Sequence, residues 1–342
     1  MAVQEDKKPT LKTISRLSGM AVPTVSRALN DAPDIGEETK RKIREIAREI
    51  GYVPNRAGVR LRTGKTNVIS LVLGTDNEVT DHTGQLISSI ASELRETPYH
   101  MIVTPYFTAE DPMIPVRYIV ETGSADAIIL NRIEVEDPRV EYLLERSFPF
   151  VCYGRSKWRD THAYFDFDNA AFGRIAANQL TDQGCRNIAL LAPPLDQNYA
   201  RDMVTGATEV LSGKGLSLTV IDGISLDDPA EAIQKHVAEF LAAHPTCDGL
   251  ICPSTTATIA AVTGAERIGR KIGSDLHIFA KEALPFLKSF RPDIGTAREN
   301  VREAGVFLAR AAIQAIRNPE YPPLQRLIAP VHAKNNSDPT ST

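Results

Sequence analysis

The residue types that most often do chemistry are scattered in this chain. Cys152, Cys185, Cys247 and Cys252 lie in or beside apolar runs, without the C-x-x-C pairing of a zinc or redox centre, and read as buried thiols. The seven histidines include no two at metal-ligand spacing on one helix face. There is no G-x-S-x-G, no H-E-x-x-H and no dinucleotide fingerprint, so neither an enzyme nor a cofactor is expected. The stretch GVRLRTGKT comes near a phosphate-binding loop, but five residues separate Gly58 from Gly64 where four are needed, and it precedes a strand. What remains is charge. Residues 1–65 hold 14 Lys/Arg against 8 Asp/Glu, a net +6, while the other 277 hold 25 against 35, a net −10. A basic head on an acidic body points to a polyanionic partner for the head.

The head is patterned as well as basic, unlike a solvated tail. Leu11, Ile14 and Leu17 recur at three-residue spacing on a short helix that Thr10 can cap. Gly19 ends it through positive φ, and Pro23 suits the first turn of a second helix, Val22 to Leu29, because the missing N–H would have had no partner there. That helix turns Val25, Ala28 and Leu29 inward and Val22, Pro23, Ser26, Arg27 and Asn30 outward. A third, with Ile43, Ile46, Ala47 and Ile50 on one face, begins after Gly36 with Glu37 and Glu38 and stops at Gly51. The pattern is a helix-turn-helix with a supporting helix, although an unrelated three-helix bundle would share it.

From residue 67 onward, short Val/Ile/Leu-rich runs alternate with amphipathic segments: NVISLVLG, HMIVTPY, DAIILN, FPFVCYG, NIALLAP, LTVIDG, DGLICPS and LHIFAK, with helices near 82–96, 111–122 and 137–146. This predicts parallel sheets covered on both faces, and too many strands for one sheet, hence two doubly wound subdomains. The length and a 42% hydrophobic content allow two or three domains. No apolar run approaches the roughly 18 residues needed to span a bilayer, and no secretory leader is visible, so a cytoplasmic protein without a membrane partner is expected.

The segments TLKTISRLSGMAVPTVSRALND and GYVPNRAGVRLRTGKTNVISLVL resemble the DNA-binding head and hinge of the LacI/GalR family of bacterial transcription regulators, and the likeness runs through essentially the whole chain. It implies an all-α head at 1–53, a hinge and linker at 54–66, and an α/β core at 67–333 similar to periplasmic sugar-binding proteins. One subdomain would cover about 67–180 and 296–325, the other about 181–295 and 326–333, with a polar tail at 334–342. It also implies homodimers on operator DNA. Val22 and Pro23 fall at variable base-reading positions. Arg27 falls where an arginine pairs with guanine O6 and N7. Thr24, Ser26, Asn30, Tyr52 and Asn55 match positions that contact phosphate or set register, and Thr10, Leu11 and Val59 complete the DNA-facing set. Residues 55–62, NRAGVRLR, match a hinge helix whose leucine wedge is Leu61, with Arg56, Arg60 and Arg62 against phosphates. A flexible basic linker is the alternative reading of that stretch. Ala21 stands where a serine cap is common, and Pro23 replaces a hydrogen-bonding side chain.

In such cores the ligand sits beyond the carboxyl ends of the strands. The residues found there are Asn77, Asn131, Arg132, Arg155, Asp168, Ser254, Thr255, Lys281 and Glu282. Together their amide, carboxylate and cationic groups satisfy sugar hydroxyls. Asp168 serves equally well as a helix cap. Two positions depart from the family pattern. Met203 replaces a sugar-gripping arginine, with Arg201 as possible substitute, and Lys281–Glu282 replaces an aspartate pair, which admits an acidic or phosphorylated effector. The resemblance narrows toward repressors of carbohydrate-utilisation genes, especially for alpha-glucosides. A sugar-binding protein without a DNA role, or a regulator responding to a phosphorylated metabolite, is the alternative. HAKNNSDPTST carries no leucine heptads, so a dimer without a tetramerisation segment is expected.

Overall fold

The computed structural model describes residues 9–53, 64–74, 81–107, 110–226 and 228–332. Residues up to Thr66 form one compact unit and those from Asn67 another.

In the first unit, α1 (Leu11–Ser18) opens on a reciprocal cap: the Thr13 amide donates to Thr10 Oγ1 at 3.4 Å and the Thr10 amide to Thr13 Oγ1 at 3.2 Å. Gly19, at φ 72°, closes it. The second helix, α2 (Val22–Leu29), carries Pro23 in its first turn and, with Ala21 in front, has no side-chain cap. Glu37 and Glu38 open α3 (Glu37–Glu49). Ile14, Val25, Ala28, Ile43 and Ala47 close the core. Leu17, expected on the inward face, is 51% exposed. A repeat of three falls short of the 3.6-residue turn by about 60° per step, so two steps after Leu11 the side chain has rotated off the buried stripe.

Among the described residues the second unit holds two six-stranded sheets. The first contains β1 (Val68–Gly74), β2 (His100–Tyr106), β3 (Ala127–Leu130), β4 (Phe150–Tyr153), β5 (Ala163–Phe167) and β11 (Gln325–Ile328), in the order β11-β5-β4-β3-β1-β2, all parallel. The second contains β6 (Ile188–Leu190), β7 (Leu218–Val220), β8 (Gly249–Cys252), β9 (His277–Glu282), β10 (Gly295–Arg298) and β12 (Val331–His332), in the order β12-β10-β9-β8-β6-β7, with only β12 antiparallel. Burial on both faces explains why β3 and β8 are continuous apolar runs rather than alternating ones.

Helices α4 (Asp81–Leu94), α5 (Met113–Thr122) and α6 (Pro138–Glu145) connect the first lobe, and α8 (Asn198–Gly213), α9 (Ala230–Ala243), α10 (Thr255–Arg267) and the short α11 (Leu287–Phe290) the second. Between the two sets stands α7 (Asn169–Asp182), which belongs to the second lobe: Phe172, Ala176, Ala177 and Leu180 pack with Ile188, Leu190, Met203 and Phe279. Helix α12 (Val301–Arg317) returns to the first lobe, against Leu86 and Ile90. The chain therefore crosses between lobes near 168, 299 and 329, whereas the sequence reading placed the crossings near 180, 295 and 325. Apolar runs reveal that a strand exists but not which sheet it joins, and the short β5, β10, β11 and β12 gave little apolar signal.

Helices α7 and α8 meet backbone to backbone. A Cβ on Gly206 would lie 2.0 Å from the Ala170 carbonyl oxygen, and one on Gly173 2.3 Å from that of Met203. This contact fixes the start of α7 beside the cleft described next.

Candidate functional site

The carboxyl ends of strands from both lobes face a cavity of about 510 Å³. Of the residues picked out by the sequence, Asn131 and Arg132 reach it from the end of β3, Ser254 and Thr255 from the end of β8, and Lys281 and Glu282 from the end of β9. Ser254 also caps α10, accepting from the Ala257 amide at 3.1 Å. Glu282, 4% exposed, accepts from the Leu287 amide at 3.1 Å and so ties down the loop after β9. Asn131 carries a buried Oδ1 with no hydrogen-bond partner among the described residues. An orphan acceptor on a cavity wall is where a ligand donor is most rewarded. Arg132 holds φ 55°, and with the Gln197 amide turned to accept, its Nε and Nη2 donate to that side chain at 3.3 and 3.1 Å.

The floor is a charged network that the sequence reading did not foresee. Lys281 Nζ lies 3.1 Å from Glu299 Oε2 and donates to Asn169 Oδ1 at 3.3 Å, 5.1 Å above the Phe167 ring and 5.4 Å above that of Tyr199. Tyr153 donates its hydroxyl to Glu299 Oε1. His82 stacks on Tyr153 with 8° between rings, its Nε2 3.1 Å from the Tyr153 oxygen and 3.7 Å from Glu299. Burial pushes the Glu299 carboxyl up, but Lys281, His82 and Tyr153 outweigh it and hold the group well below the usual carboxylate range. Burial, followed by the Glu299 charge, drives the Tyr153 phenol well above its ordinary value. At neutral pH the floor thus centres on the Lys281–Glu299 ion pair, with the Tyr153 hydroxyl still protonated beside it. Glu299 follows β10, too short to show an apolar run in sequence, and Tyr153 ends β4 two residues before Arg155.

Four expected effector residues sit elsewhere. Met203 is in the core between α7 and α8, and Arg201 is exposed with its Nε on the Leu195 carbonyl at 2.9 Å. Asp168 caps α7, accepting from the Ala171 amide at 2.8 Å, so its second reading is the one the fold uses. Arg155 is occupied by Asp166, at 2.6 Å, and Asp202, at 2.7 Å. None of the four lines the cavity. Asn77 lies outside the described residues.

In the first unit, Pro23, Arg27 and Asn30 are exposed on α2 and Val22, Thr24 and Ser26 half-buried beside them. Arg27 Nη2 is 2.5 Å from Asp34 Oδ2, and Asn30 Nδ2 donates to the Ser26 carbonyl at 2.5 Å. Thr10 is exposed, Leu11 packs partly on the core, and Tyr52 is half-buried, which raises its phenol. Asn55, Arg56, Val59, Leu61 and Arg62, with Gly58 and the polar tail, lie outside the described residues.

Residues 10–55 match the family described as bacterial regulatory proteins, lacI family, and residues 117–286 match a periplasmic binding protein domain. The HTH-type transcriptional regulator AglR of Rhizobium meliloti (strain 1021) is 33% identical over 91% of this chain and 89% of its own. The chain belongs to the lacI family of bacterial regulatory proteins. It is a DNA-binding transcription regulator, not an enzyme, and the helix-turn-helix of the first unit is the lacI-type reading head. Two solved structures share the fold. A Lac repressor dimer bound to operator and the anti-inducer ONPF superposes with a TM-score of 0.80 at 17% identity, covering 96% of this chain and 98% of that one. A CelR–cellobiose complex does so with a TM-score of 0.68 at 21% identity, covering 96% and 99%. Among the described residues no helix is long and apolar enough to cross a membrane.

Proposed function

We propose that this regulator represses carbohydrate-utilisation genes as a cytoplasmic homodimer on operator DNA, and that a neutral saccharide in the cleft controls its grip. The observation that carries the effector class is the cavity floor. Lys281, the one feature that favoured a phosphorylated ligand, is already neutralised by Glu299 and surrounded by Asn169 and two aromatic rings. An added phosphate would face Glu299 and Glu282 across a low-dielectric site, where like charges are costly. Hydroxyl groups meet no such penalty. They donate to Asn131 Oδ1 and to carboxylate oxygens, and the Tyr199 ring on the cavity wall suits the C–H side of a sugar ring. The volume lies within the ~300–1,000 Å³ range of small-molecule pockets. The CelR structure, with cellobiose bound, shows that this fold takes such a ligand in a relative. An alpha-glucoside is the reading favoured by sequence resemblance.

On the DNA side, Val22 and Pro23 offer apolar contact to base edges, Arg27 a guanine-pairing fork, and the half-buried Thr24, Ser26 and Tyr52, with Thr10, Leu11 and Asn30, the register contacts. Asn55, Arg56, Val59, Leu61 and Arg62 are proposed as the hinge contribution. The test pairs two measurements. Gel shifts with fragments of the gene's own promoter region, repeated across salt, should show one sequence that survives where nonspecific binding fades. Thermal shift against neutral sugars and sugar phosphates should single out a neutral sugar, which then alters the gel shift. A stronger response to a sugar phosphate would overturn the effector class, and absence of any preferred sequence would overturn the DNA reading.

A further inference from the structure

Asp166, on β5, is 3% exposed and yet lines the cavity. Its Oδ2 accepts from Arg155 Nε at 2.6 Å, while no donor among the described residues is hydrogen-bonded to its Oδ1. A buried carboxylate that lines a cavity and is held by a guanidinium through one oxygen keeps acceptor capacity for a ligand donor at the other. The guanidinium that holds it does a second thing. Arg155 Nη2 donates to Asp202 Oδ2 at 2.7 Å, and Asp202 is on α8 in the second lobe, where Asn198 Nδ2 also donates to it at 3.3 Å. Asp166 and Arg155 belong to the first lobe. One planar, two-armed cation therefore links the cavity wall of one lobe to a helix of the other, and its arms are not independent, since both are set by a single rigid plane.

We infer that Asp166 is a saccharide-contacting specificity residue and that the Arg155–Asp202 arm transmits its occupancy to the second lobe. The inference rests on the reading that the cleft takes a neutral saccharide. A sugar hydroxyl donating to Asp166 Oδ1 stabilises the ionised carboxylate, which holds the guanidinium plane and with it Asp202. A ligand without a hydroxyl at that point fills the cavity but leaves the clasp unaided, so discrimination and response come from the same contact. The environment makes the contact sensitive to pH. Burial pushes Asp166 up to about 7, Arg155 opposes this, and Asp202 and Glu299 add to it. Asp168 and Arg159 in turn act on Asp202, and Tyr164 on Arg155.

The experiment uses the full-length chain and a panel of maltose, melibiose, cellobiose, trehalose and sucrose, taking as probe the sugar that binds most tightly by calorimetry. In the unaltered chain, probe affinity should rise between pH 6 and pH 8 as Asp166 ionises. Asp166→Asn should lose at least about tenfold in probe affinity, the scale of a hydrogen bond to a charged group, and flatten the pH profile. Asp202→Asn should keep the probe affinity within about threefold while the probe's effect on operator gel shifts falls, because the Asp166 contact to the sugar is intact but the arm to α8 is weakened. Arg155→Lys should give an intermediate operator response. An unaltered pH profile in the native chain, an Asp166→Asn affinity equal to the native one, or a parallel loss of sugar and operator response in Asp202→Asn would each overturn the inference. If no saccharide of the panel binds the native chain, the effector reading itself fails and this inference with it, an outcome distinct from normal binding that ignores Asp166.

Discussion

Replacing Lys281 with methionine removes a cation and leaves its carboxylate partner in place. The two side chains are 14% and 6% exposed, so this is a buried pair, and breaking such a pair from one side costs about 3–5 kcal/mol because a charge is stranded. Glu299 keeps Tyr153 and His82 as donors, which brings the expected loss to the lower end, about 3 kcal/mol. An unfolding entropy of about 2.1 cal/mol/K per residue over a unit of this size converts that into a fall in melting temperature of roughly 5 °C. The loss should depend on pH. With its carboxyl held low by Lys281, the native chain carries stability at neutral pH that fades only as pH falls below the ordinary carboxylate value of 4.5. In Lys281→Met that contribution shrinks, so the gap between native and variant should hold from pH 7 to about 4.5 and narrow below it. Adding Glu299→Gln removes the stranded charge, and the double variant should recover at least half of the loss. Scanning calorimetry of the three variants at several pH values is the assay. A neutral single substitution, or a double variant whose losses simply add, would refute the stranded-charge reasoning.

Gly206→Ala forces a methyl group against the Ala170 carbonyl and should cost at least about 2–3 kcal/mol, visible as a lower melting temperature, whereas Gly213→Ala on the same helix, with open space around it, should not. Arg27→Ala should cost about 1–3 kcal/mol at a single guanine position of the operator and relax preference there, read by competition with base-substituted fragments; equal loss on every fragment would remove it from direct readout. Thr10→Ala breaks the reciprocal cap and should destabilise the head by about 0.5–1 kcal/mol, followed by circular dichroism, without altering saccharide binding.

The helical head was legible because its signals are local. A glycine stop, a proline in a first turn and an apolar stripe each constrain the residues next to them, and only Leu17 escaped, through angular drift. The lobes were legible as a class for a similar reason, since buried strands are continuous apolar runs. The cleft was half legible. Strand ends marked Asn131, Arg132, Ser254, Thr255, Lys281 and Glu282, because the direction of a parallel strand decides which end faces the ligand. Residues brought in by pairing across the fold were not. Glu299 and Asp166 follow or occupy strands too short to show a pattern, and His82 begins a helix. Arg155 and Asp168 were plausible by position and engaged by neighbours more than ten or only three residues away, which no strand-end rule registers.

Arg27 is not an idle cation in the free head, since Asp34 holds it at 2.5 Å. On the proposed reading, binding DNA through that arginine is an exchange rather than an addition, and the partner surrendered is a surface pair worth under about 1 kcal/mol. A paired guanine edge, worth about 1–3 kcal/mol, outbids it, while a lone contact to an unsuited base does not. On random sequence the guanidinium stays at home and adds nothing to affinity, so the tether lowers the background against which an operator has to be found.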